Sequence, residues 1–412
     1  MTNLEKELYH SFLYFMDEAN ADEQSKGYGL ILDNSKNRHM ASVAAVGFGL
    51  SAYVIGVENG YISYEVALKR VIGTFNTFLT NVDQYEGFFI HFADVETGKT
   101  YRKSEYSTID TALFLNGAIT CDSYFDDETL HSLFNQIYER VHFEHFVKEY
   151  QGKRVFHMAY NPTEDGDYRH KSNSPWIYQW NMYAEQLMLY FLAAGSDRVS
   201  SDLAIDLYHG FDRNKGQYGA FEYVYSPPNS LFIYQYSHAW FKFQDYLDDN
   251  QFDWYENSRL ATLGNRAFCI DHQHEYPTLN EKAWGLTACL TPLGYRNQHV
   301  LPNDLNKHEP YAMGVLPPSG AIGSMPFTPI ESMEVLDELF NVYPEAFKKH
   351  GFTDGILKQA DGSLWICDEY IAINKGITVL MIDNYLHGTT WKYYMKHPII
   401  QKAIQKLGFI RK

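Results

Sequence analysis

One of the 51 acidic residues stands apart by its surroundings. Glu185 lies in WIYQWNMYAEQLMLYFLAAG, the only charge in a run of aromatic, aliphatic and amide side chains. An ionised carboxylate in such a setting loses hydration, which raises its pKa. A raised pKa is what a proton donor needs near neutral pH. The null case is a Glu on a narrow solvent stripe or one paired with an Arg. Asp110, in SEYSTIDTALFL, is a different kind of acid. Ser107 followed three residues later by Asp110 has the spacing of a capping box, so helix capping is its plain reading. The first turn of a helix also favours an ionised carboxylate. If Asp110 serves chemistry, it holds a hydroxyl or a water, or assists a base. Glu105 precedes it in the same loop, and Asp94 in HFADVETGK reads first as a solvated strand-end acid.

Other chemistries find little support. His272 with His274 in CIDHQHEY, and His142 with His145 in VHFEHF, have zinc-compatible spacings but no evident third ligand. The acids of DDNQFD read as helix capping. No P-loop, dinucleotide fingerprint or G-x-S-x-G elbow occurs, so no metal and no cofactor is expected. Polar groups amid rings are more suggestive. FIYQYSHAWFKF carries Gln235, Ser237 and His238, WYENSRLATLGNR carries Asn257 and Arg259, and KAWGLTACLTPLGY carries Trp284 and Thr287. Each alone is a plain structural polar group. Together they supply the amides, hydroxyls and rings that recognise neutral polyols.

Helices must position these groups. Helical periodicity predicts segments near 5–18, 39–57, 64–82, 107–121, 126–140, 176–195, 199–210, 232–246, 255–271, 331–348, 370–388 and 397–407. Those at 39–57 and 107–121 are apolar nearly all round and belong inside; 64–82 and 331–348 show one apolar stripe and cover them. Six inner and six outer helices would make an all-α (α/α)6 barrel. Residues 83–106 read as a hairpin around Thr97-Gly98, and 146–175 and 272–330 as long loops of the kind that carry function. No linker divides the chain, so residues 1–412 are read as a single domain.

Composition narrows the partners. Lys and Arg number 34 against 51 acids, a net charge of −17 that repels a phosphate backbone, so no nucleic acid is expected. The four cysteines (Cys121, Cys269, Cys289 and Cys367) form no C-x-x-C pair. The most apolar run, 41–57, falls short of the about 20 residues that a membrane span needs. No membrane partner is expected, and with no signal peptide in view the reading is cytoplasmic. Tyr, Phe and Trp make up 16% of the chain, which suits stacking on sugar rings as well as a thick core.

STIDTALFL, QYSHAWFKF, NSRLAT, WGLTA, GSMPFTP, HGFTDG and MIDNYLHG occur in the order seen in bacterial endo-β-1,2-glucanases, which the chain resembles from about residue 41 to its end. Those proteins are related to the transglycosylating domain of cyclic β-1,2-glucan synthases. The resemblance implies an (α/α)6 barrel acting on glucose polymers without a metal. It matches the family's essential Glu to Glu185 and the Asp of its S-T-I-D segment to Asp110. Two departures stand out. A third acid, in a segment I-D-Q-G-P, is replaced here by Asn374 in AINKGI. The Asp of T-A-S-D-G-P is replaced by Leu290 in TACLTP. Asn cannot act as a base, so Asp368, Glu369 or Asp383 would supply it, or the chain transfers glycosyl groups, or it binds glucan without cleaving it. The expected activity is a glycosidase on β-1,2-glucan or related β-linked gluco-oligosaccharides. Glu185 would be the acid and Asp110 an assisting base or positioning carboxylate. Trp180, Tyr183, Gln235, His238, Arg259, Trp284 and Asn374 would line the cleft, with Asp94 added from the hairpin.

Overall fold

The computed structural model describes residues 1–169, 174–226, 229–300, 312–359 and 361–412. The helices are α1 (Asn3–Asp17), α2 (Val43–Glu58), α3 (Tyr64–Thr80), α4 (Thr108–Tyr124), α5 (Glu128–Glu139), α6 (Leu187–Gly195) and α7 (Ser201–Gly210). They continue as α8 (Phe232–Trp240), α9 (Trp254–Asp271), α10 (Pro318–Ile322), α11 (Pro329–Val342), α12 (Ala372–Leu386), α13 (Thr389–Met395) and α14 (Pro398–Leu407). The chain is helix-rich, and short strand pairs decorate the helices.

The two apolar helices α2 and α4 lie against each other with almost no gap. Glycine makes that possible. A Cβ at Gly47 would fall 2.2 Å from the Leu113 carbonyl oxygen, and one at Gly117 would fall 2.1 Å from that of Gly47. α6 and much of α12 are likewise buried on every side, whereas α5 and α14 bury one stripe. In α14 that stripe is Ile400, Ala403, Ile404 and Leu407, the helical i, i+3, i+4, i+7 spacing. Among the described residues no helix is long and apolar enough to cross a membrane.

Strands hold the loops that carry the site. Met40–Ser42 pairs antiparallel with Phe92–Asp94, Met40 opposite Asp94. The expected turn at Thr97-Gly98 forms, with Gly98 at φ 73°, but its return limb meets Phe92–Asp94 in one bridge, Ala93 to Thr100. Lys153–Tyr160 is the strand to which Tyr106–Ser107, Val147–Tyr150 and Trp176–Gln179 pair. The last pairing corrects the expected helix at 176–195: its first half is a strand and a turn, and the helix begins at Leu187. The expected helix at 331–348 stops at Val342 because Pro344 disfavours helical geometry at Tyr343. The expected 232–246 ends at Trp240, where Phe241 turns extended.

Candidate active site

Asp110 does what its spacing predicts and more. Ser107 caps α4, accepting from the Asp110 N–H at 3.3 Å, while its hydroxyl donates back to the Asp110 carboxylate. Capping leaves the other Asp110 oxygen free, and it lies 3.5 Å from Nε2 of His91. The opposite ring nitrogen, Nδ1, sits 2.8 Å from Glu105. Burial pulls His91 toward its neutral form, but Asp110, Glu105 and Asp33 outweigh it and raise its pKa to about 9. The imidazolium therefore sits between two acids at neutral pH. Burial raises Asp110, with His91 and Ser107 pulling it back.

These groups open into a cavity of about 670 Å3 whose wall includes Asp33, His91, Asp110, Tyr168, Tyr295 and Glu369. Tyr168 and Tyr295 expose 52% and 42% of their surface there, enough ring area to meet a flat ligand. Leu290 and Ile373 add apolar wall.

Glu185 arrives from another direction. It occupies a turn just ahead of α6, not the helix interior expected from its flanks. Three contacts fix that turn. The Ser237 hydroxyl donates to the Glu185 carbonyl at 2.7 Å and accepts from the Met188 N–H at 3.1 Å, so α8 holds both sides. The Trp180 indole N–H donates to Thr108 at 3.0 Å, tying this segment to the start of α4 and hence to Asp110. Among the described residues the one donor reaching the Glu185 carboxylate is its own backbone N–H, and burial raises its pKa to about 7. The next influence on it is the charge of Asp110. Tyr236, on α8, is raised well above the ordinary phenol by burial and then by Glu185, Asp354, Asp110 and Asp33. Four acids from four separate segments thus bear on one buried hydroxyl.

Asn374 has a neighbour that the sequence did not single out. Its amide donates to Asp354 at 2.7 Å and to the Ala288 carbonyl at 3.1 Å. The second Asp354 oxygen accepts from the Leu290 N–H at 2.6 Å. One carboxylate therefore joins the two positions where acids were expected and are missing. Burial raises Asp354 to about 6 against the pull of Asn374 and Leu290. The HGFTDG segment contains it, which is the signal that could have found it. Asp33, in LILDNS, and His91, in FFIHFAD, carried no comparable signal.

The other expected site residues, like Glu185, are not part of this cavity's wall, and several are held in the packing. Tyr183 stacks on Trp254 at 5.0 Å. Gln235 donates to the Gly320 carbonyl and to Ser324, and Trp284 is fully buried. His238 meets Ser258 at 2.9 Å and is held neutral, its pKa lowered to about 3 by burial. Arg259 pairs with Glu256 one helical turn away, 36% exposed, as a surface i, i+3 pair. Asp94 instead caps its turn, accepting from the N–H groups of Glu96 and Thr97. Of the acids near Asn374 in sequence, Asp368 pairs with Lys36 outside, and Asp383 is buried against Asn59 and Thr389. Glu369 reaches the cavity but is held by Lys36 and Asn34. His142 pairs with Glu86, and among the described residues no group of three or more metal-ligating side chains is arranged around one point.

Residues 177–398 match the profile of the Glycoamylase family, described as putative glucoamylase. The chain belongs to this family. The match spans Glu185, Tyr236, Asp354 and Asn374 and leaves Asp33, His91 and Asp110 ahead of it. A solved endo-β-1,2-glucanase from Chitinophaga pinensis, in complex with sophorotriose and glucose, is similar with a TM-score of 0.84 and 25% identity. The alignment covers 99% of this chain and 98% of that one. A glucoamylase-like structure from Bacteroides uniformis gives 0.84 and 26%, covering 100% and 98%. An exo-β-1,2-glucooligosaccharide sophorohydrolase (non-reducing end) from Parabacteroides distasonis is 24% identical over 97% of the chain. The chain spans 57% of that relative's length.

Proposed function

We propose that the chain is a glycoside hydrolase acting on β-1,2-glucan or its oligosaccharides, with Glu185 as the general acid. One observation carries this reading: a carboxyl with a pKa of about 7 whose one donor among the described residues is its own backbone N–H. A group in that condition keeps a proton to give at neutral pH and has no other partner to give it to. Asp110, beside the His91 cation, would hold a sugar hydroxyl or the attacking water. Tyr168 and Tyr295 would stack on glucose rings, and the helices would form one catalytic domain built as an (α/α)6 barrel. The inner burial of α2, α4, α6 and α12 supports that architecture. The similarity to two β-1,2-glucan-active proteins supports the substrate.

Product chromatography on a panel of β-linked glucans, with and without an acceptor sugar, tests the reading. Shortened β-1,2-gluco-oligosaccharides are expected. Elongated products with acceptor would make the chain a transglycosylase. Calorimetric binding without any product would make it a glucan-binding protein.

A further inference from the structure

Asn374 stands where the resemblance expects an acid, and Asn cannot act as a base, so the proposed hydrolysis needs a carboxylate elsewhere to activate water, and the cavity offers one. A base must have a lone pair open to water. Asp110 accepts the Ser107 hydroxyl and faces His91. Glu369 accepts from Asn34 at 2.9 Å and lies 3.3 Å from the Lys36 ammonium. Asp354 has one N–H donor on each oxygen. Asp33 lines the same cavity, and among the described residues nothing donates a hydrogen bond to its carboxylate.

Its backbone is the reverse. The Asp33 N–H donates to the Met40 carbonyl at 3.0 Å, and its own carbonyl accepts from Ala372, the first residue of α12, at 2.9 Å. The main chain is pinned on both sides while the side chain has no structural partner. That combination fits a preorganised reacting group better than a stabilising one.

We propose that Asp33 is the general base of the hydrolysis, a role that rests on the glycosidase reading above. The water oxygen attacks the anomeric carbon and its proton passes to Asp33. The glycosidic C–O bond breaks, its electron pair goes to the leaving oxygen, and that oxygen takes the Glu185 proton. One water is added in all.

The surroundings keep Asp33 titrating close to working pH. Burial raises it to about 6, the His91 cation moderates the rise and the Asp110 charge adds to it. Asp354 bears on it from the loop ahead of α12, Tyr295 from the strand Gly294–Asn297, Tyr236 from α8 and Tyr14 from α1. Activity is therefore expected to fall as pH drops through about 6, where the base takes up its proton.

The test uses Asp33→Asn, Asp33→Gly and the wild type on linear β-1,2-gluco-oligosaccharides. D33N is expected to keep its melting temperature and KM, lose at least about a hundredfold in kcat, and lose the acidic limb of the pH profile. In D33G, added azide is expected to restore turnover as a nucleophile that needs no deprotonation, giving a glycosyl azide. Azide should not restore E185Q on the same unactivated glycoside, because the proton donor is still missing. An active wild type whose D33N keeps its rate, or whose D33G is not rescued by azide, overturns the assignment of Asp33 alone. A wild type idle on every β-linked glucan overturns the glycosidase reading and this base with it.

Discussion

Glu7 and Glu185 are both acids withdrawn from bulk water, and their surroundings are opposite. Glu7 on α1 accepts from the Lys375 ammonium at 2.9 Å, the Ser11 hydroxyl at 2.9 Å and the Phe352 N–H at 3.0 Å. Lys375 in turn donates to the carbonyls of His350 and Phe352. Both carboxylate oxygens and all three ammonium protons there have a protein partner, and the pair ties α1 to α12 and the loop between α11 and α12. Glu185 has its own backbone N–H and, among the described residues, no other donor. Burial is common to the two sites; hydrogen bonding is what separates them. A partnered buried acid stabilises, whereas an unpartnered one is kept protonated by its desolvation and is left available to a ligand.

The contrast breaks most sharply at the structural end. Glu7→Gln leaves Lys375 without its counter-charge and should cost about 3–5 kcal/mol in a denaturant titration. The rate per folded molecule should not change. Glu185→Gln should do the reverse, folding normally and losing at least about a hundredfold in turnover, measured by product release. It should also shift the pH dependence of stability. The folded pKa of Glu185 lies above its ordinary 4.5, at about 7, so the native state holds the extra proton between those values. The contribution of Glu185 to stability therefore falls as pH rises from 4.5 to 7, and Glu185→Gln should remove that share of the pH dependence, as read by melting curves across pH.

Two smaller changes sharpen the picture. His91→Gln removes the cation that holds down both Asp33 and Asp110, so Asp33, the base behind the acidic limb, and Asp110 should each take up a proton more readily. The acidic limb of kcat/KM should move to higher pH with little change at the optimum. Asn374→Asp sets two carboxyls at hydrogen-bond distance, where the amide now donates to Asp354 at 2.7 Å. One of the pair should hold its proton well above the usual carboxylate range, so the variant should lose stability as pH rises toward that value. Melting temperatures at acid and neutral pH would read the difference.

Much of this was legible in the sequence, for identifiable reasons. α2 and α4 announce themselves because a helix apolar on every side has nowhere to go except inside. Glu185 announces itself because one charge among rings must be desolvated. Its backbone was misread for the same reason: the aromatic run that desolvates Glu185 also mimics a buried helix, while Trp176–Gln179 is a strand. Asp33 and His91 were hidden because nothing local marks them. Their chemistry comes from loops brought together by the pairing of Met40–Ser42 with Phe92–Asp94, a contact between segments about fifty residues apart. Gln235, His238 and Trp284 were read as cleft residues because polar atoms near rings look alike in sequence whether they face a sugar or another helix.

The central claim is that Glu185 gives its proton from a desolvated, unpartnered carboxyl, and the pH dependence of kcat/KM on a linear β-1,2-gluco-oligosaccharide tests it most directly. The rate should fall as pH rises through about 7, where the acid loses its proton. A rate that stays level well above that pH, or a Glu185→Gln variant as fast as the wild type, would contradict it.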